Sequence, residues 1–521
     1  MILQIYKLFR FFFLTLFILF SIYAVNLYEG SKLIFIIYCL SFVTMFFYLT
    51  DKKSTYFEIF FSFYLFMGFW LKYIYSLIWR NGKVIASGQE FSNNIDQVLI
   101  IGILIAAICL LSSFINKKII KKNFVIYNKN IKQSFFEYLY LNYKFLVLLI
   151  FVLTFCTICF FNVQLNIHQR GFINLIKFDP IITNLIKWLL MFGFTTFSCF
   201  LINTEILYKE KINFSTALVA LIEIFTSSTS MLSRILTVKA SFFFLVISRE
   251  ILRLKKNVKK FIFAYAVLIL FLSSFSLYIV NEIRISKTKF FINIVNLKKL
   301  SLIENKVEIK KLIEDIDSNW VDPNSTVKAD WKSPVWEKRK KVKEIGLLIN
   351  EKHNSFHIIY DMIFQRWIGL DSLIVVFNYE HKSFNFLIEA FGEKKTNKSI
   401  TFYEKISDLN RIIVNVDNSQ IMKGNTLPGI ISFLYYSGNL YFVLFMLFLL
   451  ILFFSSFENF LKKITKNNLI FSSFISSLIV GRLINFGYAP KDSYLFIISI
   501  LLSILIMIFL QRAFYIQTGK K

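Results

Sequence analysis

Six cationic side chains stand where an anionic group could be held: Arg170, Arg234, Lys239, Arg284, Arg366 and Arg482. Hydropathy and the distribution of lysines put all six on the membrane face opposite the basic clusters, so each departs from the charge bias of the rest of the chain. Arginine offers planar, bidentate donors to phosphate and stays charged at any working pH. Several converging on one cavity would hold a pyrophosphate and offset the charge that builds on it as it leaves. The structural alternative is a side chain that snorkels to headgroups or pairs with Glu or Asp. At Arg234 the functional reading outweighs it, and at Arg170, Arg284, Arg366 and Arg482 the structural reading is ahead.

A second group is His353, His357 and Asp361, spaced i, i+4, i+8, which one helix face would align within metal-ligand reach. No Glu accompanies the histidines in the zinc-protease pattern and no cysteine assists, so a surface helix face is preferred to a metal site; no metal and no cofactor are expected. His357, Asp361 and the following Asp371 are candidates for a general base or a positioning group. A third segment runs from Thr426 to Tyr441, where Pro428 and Gly429 make a stiff turn at a helix start and Gly438 lets another helix approach.

These residues need a scaffold, and the chain supplies a membrane one. It has 521 residues, 56% hydrophobic and 18% aromatic, with a mean hydropathy of +0.60, and its apolar residues come in long blocks. A hydrocarbon core of about 30 Å takes roughly 20 helical residues. Runs of that order fall near 9–28, 33–50, 56–79, 97–115, 144–162, 186–207, 213–232, 235–252, 261–280, 428–454, 467–486 and 493–511. The fold class is therefore all-α: a polytopic integral membrane protein of about twelve transmembrane helices. Its parts are an N-terminal membrane region (1–280), a large outer loop (281–427) and a C-terminal membrane region (428–521).

The basic clusters orient it. Lys7/Arg10, Lys52/Lys53, Lys117 to Lys122, Lys209/Lys211, Arg253 to Lys260, Lys462 to Lys466 and Arg512 to Lys521 all fall on one side of the count. That side is cytoplasmic, as are both termini, and the large loop lies outside. A net charge of +28 is discounted as a sign of nucleic-acid binding, because heavy use of Phe, Ile, Lys and Asn points to coding bias. The polar stretch Thr226–Arg234 interrupts two short apolar halves, yet the flanking clusters require an even number of crossings. It reads as a hairpin, or a pair of broken helices, turning at Ser233-Arg234 and facing a cavity. The five cysteines lie inside apolar runs, and Cys156 and Cys159 read as packing residues of a span.

The loop is long enough for a small domain or lid. Residues 287–300 alternate basic and apolar types, as suits a helix on an anionic membrane surface. Trp320 and Trp331 suit interfacial anchoring ahead of stacking on a ligand. Residues 356–377 are apolar but carry Asp361, Arg366 and Asp371, a poor lipid-facing span. They read as one or two amphipathic helices folded down on the membrane region.

Three segments resemble the bacterial O-antigen and oligosaccharide repeat-unit polymerases, relatives of the O-antigen ligases. They are the Ser233-Arg234 turn after a Ser/Thr-rich span end, the run Arg366 to Asp371 (RWIGLD), and the helix entry Leu427-Pro428-Gly429 with Leu434-Tyr435-Tyr436 and Gly438. The layout is similar over nearly the whole length. The resemblance implies a membrane glycosyltransferase of the bacterial inner membrane. It would polymerise undecaprenyl-pyrophosphate-linked oligosaccharides on the periplasmic face without a nucleotide sugar, alongside a chain-length regulator and a flippase. It also implies a pyrophosphate-holding role for Arg234, then for Arg284 and Arg366. A ligase is the near alternative. A transporter or flippase fits less well, because transporters carry polar residues mid-membrane in repeated broken helices. A polyprenyl-phosphate sugar transferase is disfavoured by the short first outer loop, Glu29 to Lys32, and an acyltransferase by histidines that all lie outside the spans.

Overall fold

The computed structural model describes residues 2–51, 53–79, 85–86, 89–90, 95–120, 132–169, 179–233, 243–251, 261–280, 282–283, 367–393, 402–407, 415–416, 419–420, 427–487 and 489–514. Apart from two antiparallel ladders of two residues per strand, at 85–90 and 415–420, the described elements are helical. Among the described residues, eight helices are long and apolar enough to cross a membrane: Lys32–Leu49, Tyr56–Trp79, Ile95–Lys118, Lys144–Gln164, Pro180–Lys209, Phe261–Val280, Leu440–Ile464 and Pro490–Arg512. Shorter apolar helices span Leu14–Leu27, Phe214–Ser230 and Leu469–Ile484, and residues 243–251 are helical too. The chain is a multi-pass helical membrane protein.

Its radial pattern is that of a bundle in lipid. On Lys144–Gln164, Phe145, Leu149 and Leu153 are exposed at one-turn spacing, while Leu148, Phe151, Phe155, Cys159 and Asn162 face inward. Cys156 is exposed and Cys159 lies buried against the Ser227 hydroxyl, a packing arrangement. The interior holds the polar groups: Glu58, Glu137, Glu205, Glu223 and Glu458 are fully buried, with many serines. Buried carboxylates persist only where donors meet them, and each of these has several.

The contacts sort onto two ends. At one, the Glu458 carboxylate accepts from the amides of Tyr56 (3.1 Å) and Phe57 (2.7 Å) at a helix start and pairs with Lys462 at 2.5 Å. Lys466 pairs with Glu137 at 2.9 Å, Lys144 with Glu205 at 2.8 Å, and Arg512 donates to the Ile464 carbonyl at 2.9 Å. Lys117 donates to the Tyr48 carbonyl at 2.6 Å. At the other end, Asp96 accepts from the Tyr28 hydroxyl and, at 3.0 Å, from the Ser31 amide. There the residues beyond 366 also meet the bundle. Lys117, Lys462, Lys466 and Arg512 thus gather at one end, as the charge pattern expects.

One span differs from the hydropathy reading. The run 428–454 is broken: a helix over Gly429–Leu434 tightens into a 3-10 turn over Tyr435–Ser437, Gly438 takes φ +70°, and a new helix starts at Leu440. The left-handed glycine ends the first helix, and the Asn439 side chain caps the second by accepting from the Phe442 amide at 3.1 Å. The helix Leu370–Asn378, expected to fold down on the membrane region, is set into the bundle. Its apolar sequence is buried nearly all round, with Leu373 and Val376 fully covered.

Candidate functional site at the loop end

Residues 367–378 are set into the bundle beside the helix Tyr56–Trp79, which carries a π-helical stretch over Phe66–Leu71. Gly68 sits in that stretch, against Ile368 and Gly369. A Cβ built on Gly68 would lie 2.2 Å from the Ile368 carbonyl oxygen, and one built on Gly369 would lie 2.2 Å from the Gly68 carbonyl carbon. Only glycine on both sides lets these backbones touch. Lys72, one turn further on, donates to the Trp367 carbonyl at 2.9 Å and pairs with Asp371 at 2.6 Å. The second Asp371 oxygen accepts from the Gly369 amide at 3.3 Å. The Trp367 ring packs edge-on against Phe63 and Tyr64. Asp371 therefore fastens residues 367–378 to the bundle through Lys72.

The helix entry meets the same seat. A Cβ on Gly429 (φ +73°) would lie 2.9 Å from the Ile368 methyl and 2.9 Å from the Ile484 carbonyl oxygen. The Ser372 and Ser432 hydroxyls are 3.0 Å apart, and the rings of Phe377 and Tyr435 stack in parallel with centroids 6.2 Å apart. Lys382 donates to the carbonyls of Phe377 and Tyr379 at the C-terminal end of the loop helix, a favourable place for a cation. Burial lowers the Lys382 ammonium below its ordinary pKa, and the charge of Glu380 partly offsets this. The Ser383 amide donates to the Tyr436 carbonyl at 2.9 Å.

Arg482 stands at the end of the helix Leu469–Ile484, close to this entry. It donates to the Ser493 hydroxyl at 2.9 Å, its guanidinium lies 5.9 Å from the Phe486 ring centroid, and its Nε is buried without a hydrogen-bond partner. The Gly429 amide donates to the Phe486 carbonyl at 3.1 Å, tying this arginine's helix to the entry.

The Ser/Thr-rich helix end is built separately. Ser227, Ser228, Ser230, Met231, Leu232 and Ser233 are all buried. The Ser228 hydroxyl donates to the Ser233 carbonyl at 2.5 Å, the Ser233 amide donates back to the Ser228 carbonyl at 2.9 Å, and Leu232 takes φ +50°. Asn162 donates to the Ser230 carbonyl at 2.9 Å and accepts from the His168 amide at 2.8 Å. Within the same helix, the Glu223 carboxylate accepts from Thr195 and Ser227 hydroxyls, both at 3.2 Å. The polar stretch up to residue 233 is thus sheltered by protein, which is one of the two conditions for polar backbone at membrane depth.

Of the residues singled out in the sequence, Asp371 and Arg482 are described. Arg170, Arg234, Lys239, Arg284, His353, His357, Asp361 and Arg366 lie outside the described residues. Lys72, Asn162 and Glu223 escaped the sequence reading, although a charge or amide inside an apolar run is itself a signal. Among the described residues no group of three His, Cys, Asp or Glu could hold a metal ion.

Fold and site together define a polytopic helical membrane protein with residues 367–378 locked into its bundle. Compared with protein-family models, curated proteins and solved structures, the chain finds no match.

Proposed function

We propose that this chain is a membrane glycosyltransferase that polymerises undecaprenyl-pyrophosphate-linked oligosaccharide repeat units into a surface polysaccharide on the periplasmic face of the bacterial inner membrane. One observation carries the reading. The run after Arg366 and the entry Leu427–Gly438, two of the three segments on which the polymerase resemblance rests, pack against each other through Ile368 on Gly429 and Ser372 on Ser432. Segments so far apart in sequence have no local reason to meet.

In the proposed reaction the reducing-end sugar of one lipid-linked chain passes from its pyrophosphate to a hydroxyl of another lipid-linked unit. The C–O bond to pyrophosphate breaks, a glycosidic bond forms, and the acceptor's proton goes to a base. Arg234 carries the principal role of holding the departing pyrophosphate, supported by Arg284, Arg366, Lys239, Arg170 and Arg482. His357 and Asp361 are the candidates for the base. Asp371 is already held by Lys72, which suits positioning the segment beside Arg366.

Deleting the gene and resolving the surface glycan on a gel tests this. The expected product is lipid A core carrying a single repeat unit, restored to a ladder by the wild-type gene but not by Arg234→Ala at equal membrane level. Bare core in the deletion strain would point instead to a ligase or a flippase, and an unchanged ladder would sink the proposal.

A further inference from the structure

The geometry points to the helix Phe384–Phe391 being an interfacial helix, lying in the plane of the membrane with one stripe inserted among the lipids of the leaflet at the loop end. At about 100° per residue, its side chains divide into three sectors. Phe386, Leu387 and Ala390 form the first. Phe386 packs against Tyr379, Phe402 and Tyr436, with ring centroids 5.1–5.5 Å apart, and Ala390 is fully buried. Asn385 and Glu389 form the second and are exposed. Phe384, Ile388 and Phe391 form the third, exposed by 46%, 67% and 55%.

A helix resting on a protein in water needs two sectors, one apolar and buried and one polar and wet. A spanning helix has no room for a wet sector. Three sectors match a helix bounded by protein, water and hydrocarbon at once, which occurs only where the bundle meets the membrane interface.

The neighbouring span says what covers the third sector. Phe384 packs edge-on against Phe442 at 5.1 Å, at the start of the helix Leu440–Ile464. On that helix Tyr441, Phe445, Leu449 and Phe453 form an outward stripe at four-residue spacing, exposed by 84%, 58%, 41% and 63%. This is the lipid-facing side of a span, and the Phe384–Ile388–Phe391 stripe continues it at the level where aromatic residues meet the headgroups. The occupant is the bilayer. The inference is independent of the polymerase reading.

The test uses full-length protein reconstituted in phosphatidylethanolamine/phosphatidylglycerol vesicles. Cys156→Ala removes the exposed native thiol, and the four buried cysteines stay. Ile388→Cys, Phe391→Cys, Asn385→Cys and Glu389→Cys are each labelled with a nitroxide, and power saturation compares collisions with oxygen, which concentrates in lipid, and with a water-soluble nickel chelate. Labels at 388 and 391 are expected to favour oxygen, and those at 385 and 389 the chelate. Chelate access at 388 and 391 equal to that at 389 would overturn the proposal in favour of a solvated face. Shielding of both from both reagents would overturn it in favour of a cover supplied by protein, either this chain's own loop or a second copy. Two positions per sector keep the result readable if one variant fails to fold.

Discussion

At the scale of single residues, the Lys72–Asp371 pair is the most informative contact. Its members lie 299 positions apart, and their side chains are 15% and 22% exposed. Removing one partner of a fully buried pair costs about 3–5 kcal/mol; partial exposure here brings the expectation to about 2 kcal/mol. Lys72→Met should therefore lower the midpoint of thermal unfolding in detergent. Asp371→Asn should lower it less, because an amide still accepts from the Gly369 amide and the Lys72 ammonium. The double variant should be less destabilised than the sum of the two, and strict additivity in that cycle would show that the pair is not coupled. Asp371 was legible as a chemically interesting residue because it interrupts an apolar run. Its occupation was not, since nothing local in the sequence names a partner in the third span. Lys72 carried the same signal as Asp371, a charge inside apolar sequence, and only its nearness to a span end made it look ordinary.

At the scale of elements, hydropathy made a multi-pass helical bundle legible because long apolar blocks admit few other structures in a bilayer. It failed where a short-range device overrides it. The break after Tyr436 was unreadable from hydropathy, since Gly438 and Asn439 are two residues in a strongly apolar run; only their order, a left-handed glycine and then an N-cap, marks it. The π-helical stretch at Phe66–Leu71 was equally hidden, because its partner is the distant Gly369. The glycine pair at this crossing makes a sharp expectation. Gly68→Ala puts a methyl where the Ile368 carbonyl stands, at an overpacking cost of about 1–3 kcal/mol, and should unseat residues 367–378. Limited trypsin digestion would read this as faster cleavage after Lys382, whose ammonium now holds the end of that loop helix. Gly481→Ala is the control: a Cβ there meets nothing within 4 Å, so cleavage should stay at the wild-type rate. Equal rates for the two variants would remove the glycine contact as the fastening.

At the scale of the whole molecule, the distribution of charge does two things with the same residues. Lys144, Lys462 and Lys466 belong to the basic end, and each also neutralises a buried glutamate: Glu205, Glu458 and Glu137. The cations that make up the basic end therefore double as the partners that make buried carboxylates tolerable. The opposite end has Lys72, Lys382 and Arg482 turned to backbone carbonyls, Asp371 and a serine hydroxyl, and it receives residues 367–393. If the basic end is cytoplasmic, a fluorescent protein fused after Lys521 should fluoresce in whole cells, since it folds only in the cytoplasm when exported through the general secretory route. Alkaline phosphatase fused after Glu393 should be active, since it needs the oxidising periplasm for its disulfides. Swapping the two reporters should silence both. A bright fluorescent fusion after Glu393, with an active phosphatase after Lys521, would invert the molecule. The segments assigned to lipid-linked substrate would then face the cytoplasm, and the polymerase reading would fall with the topology.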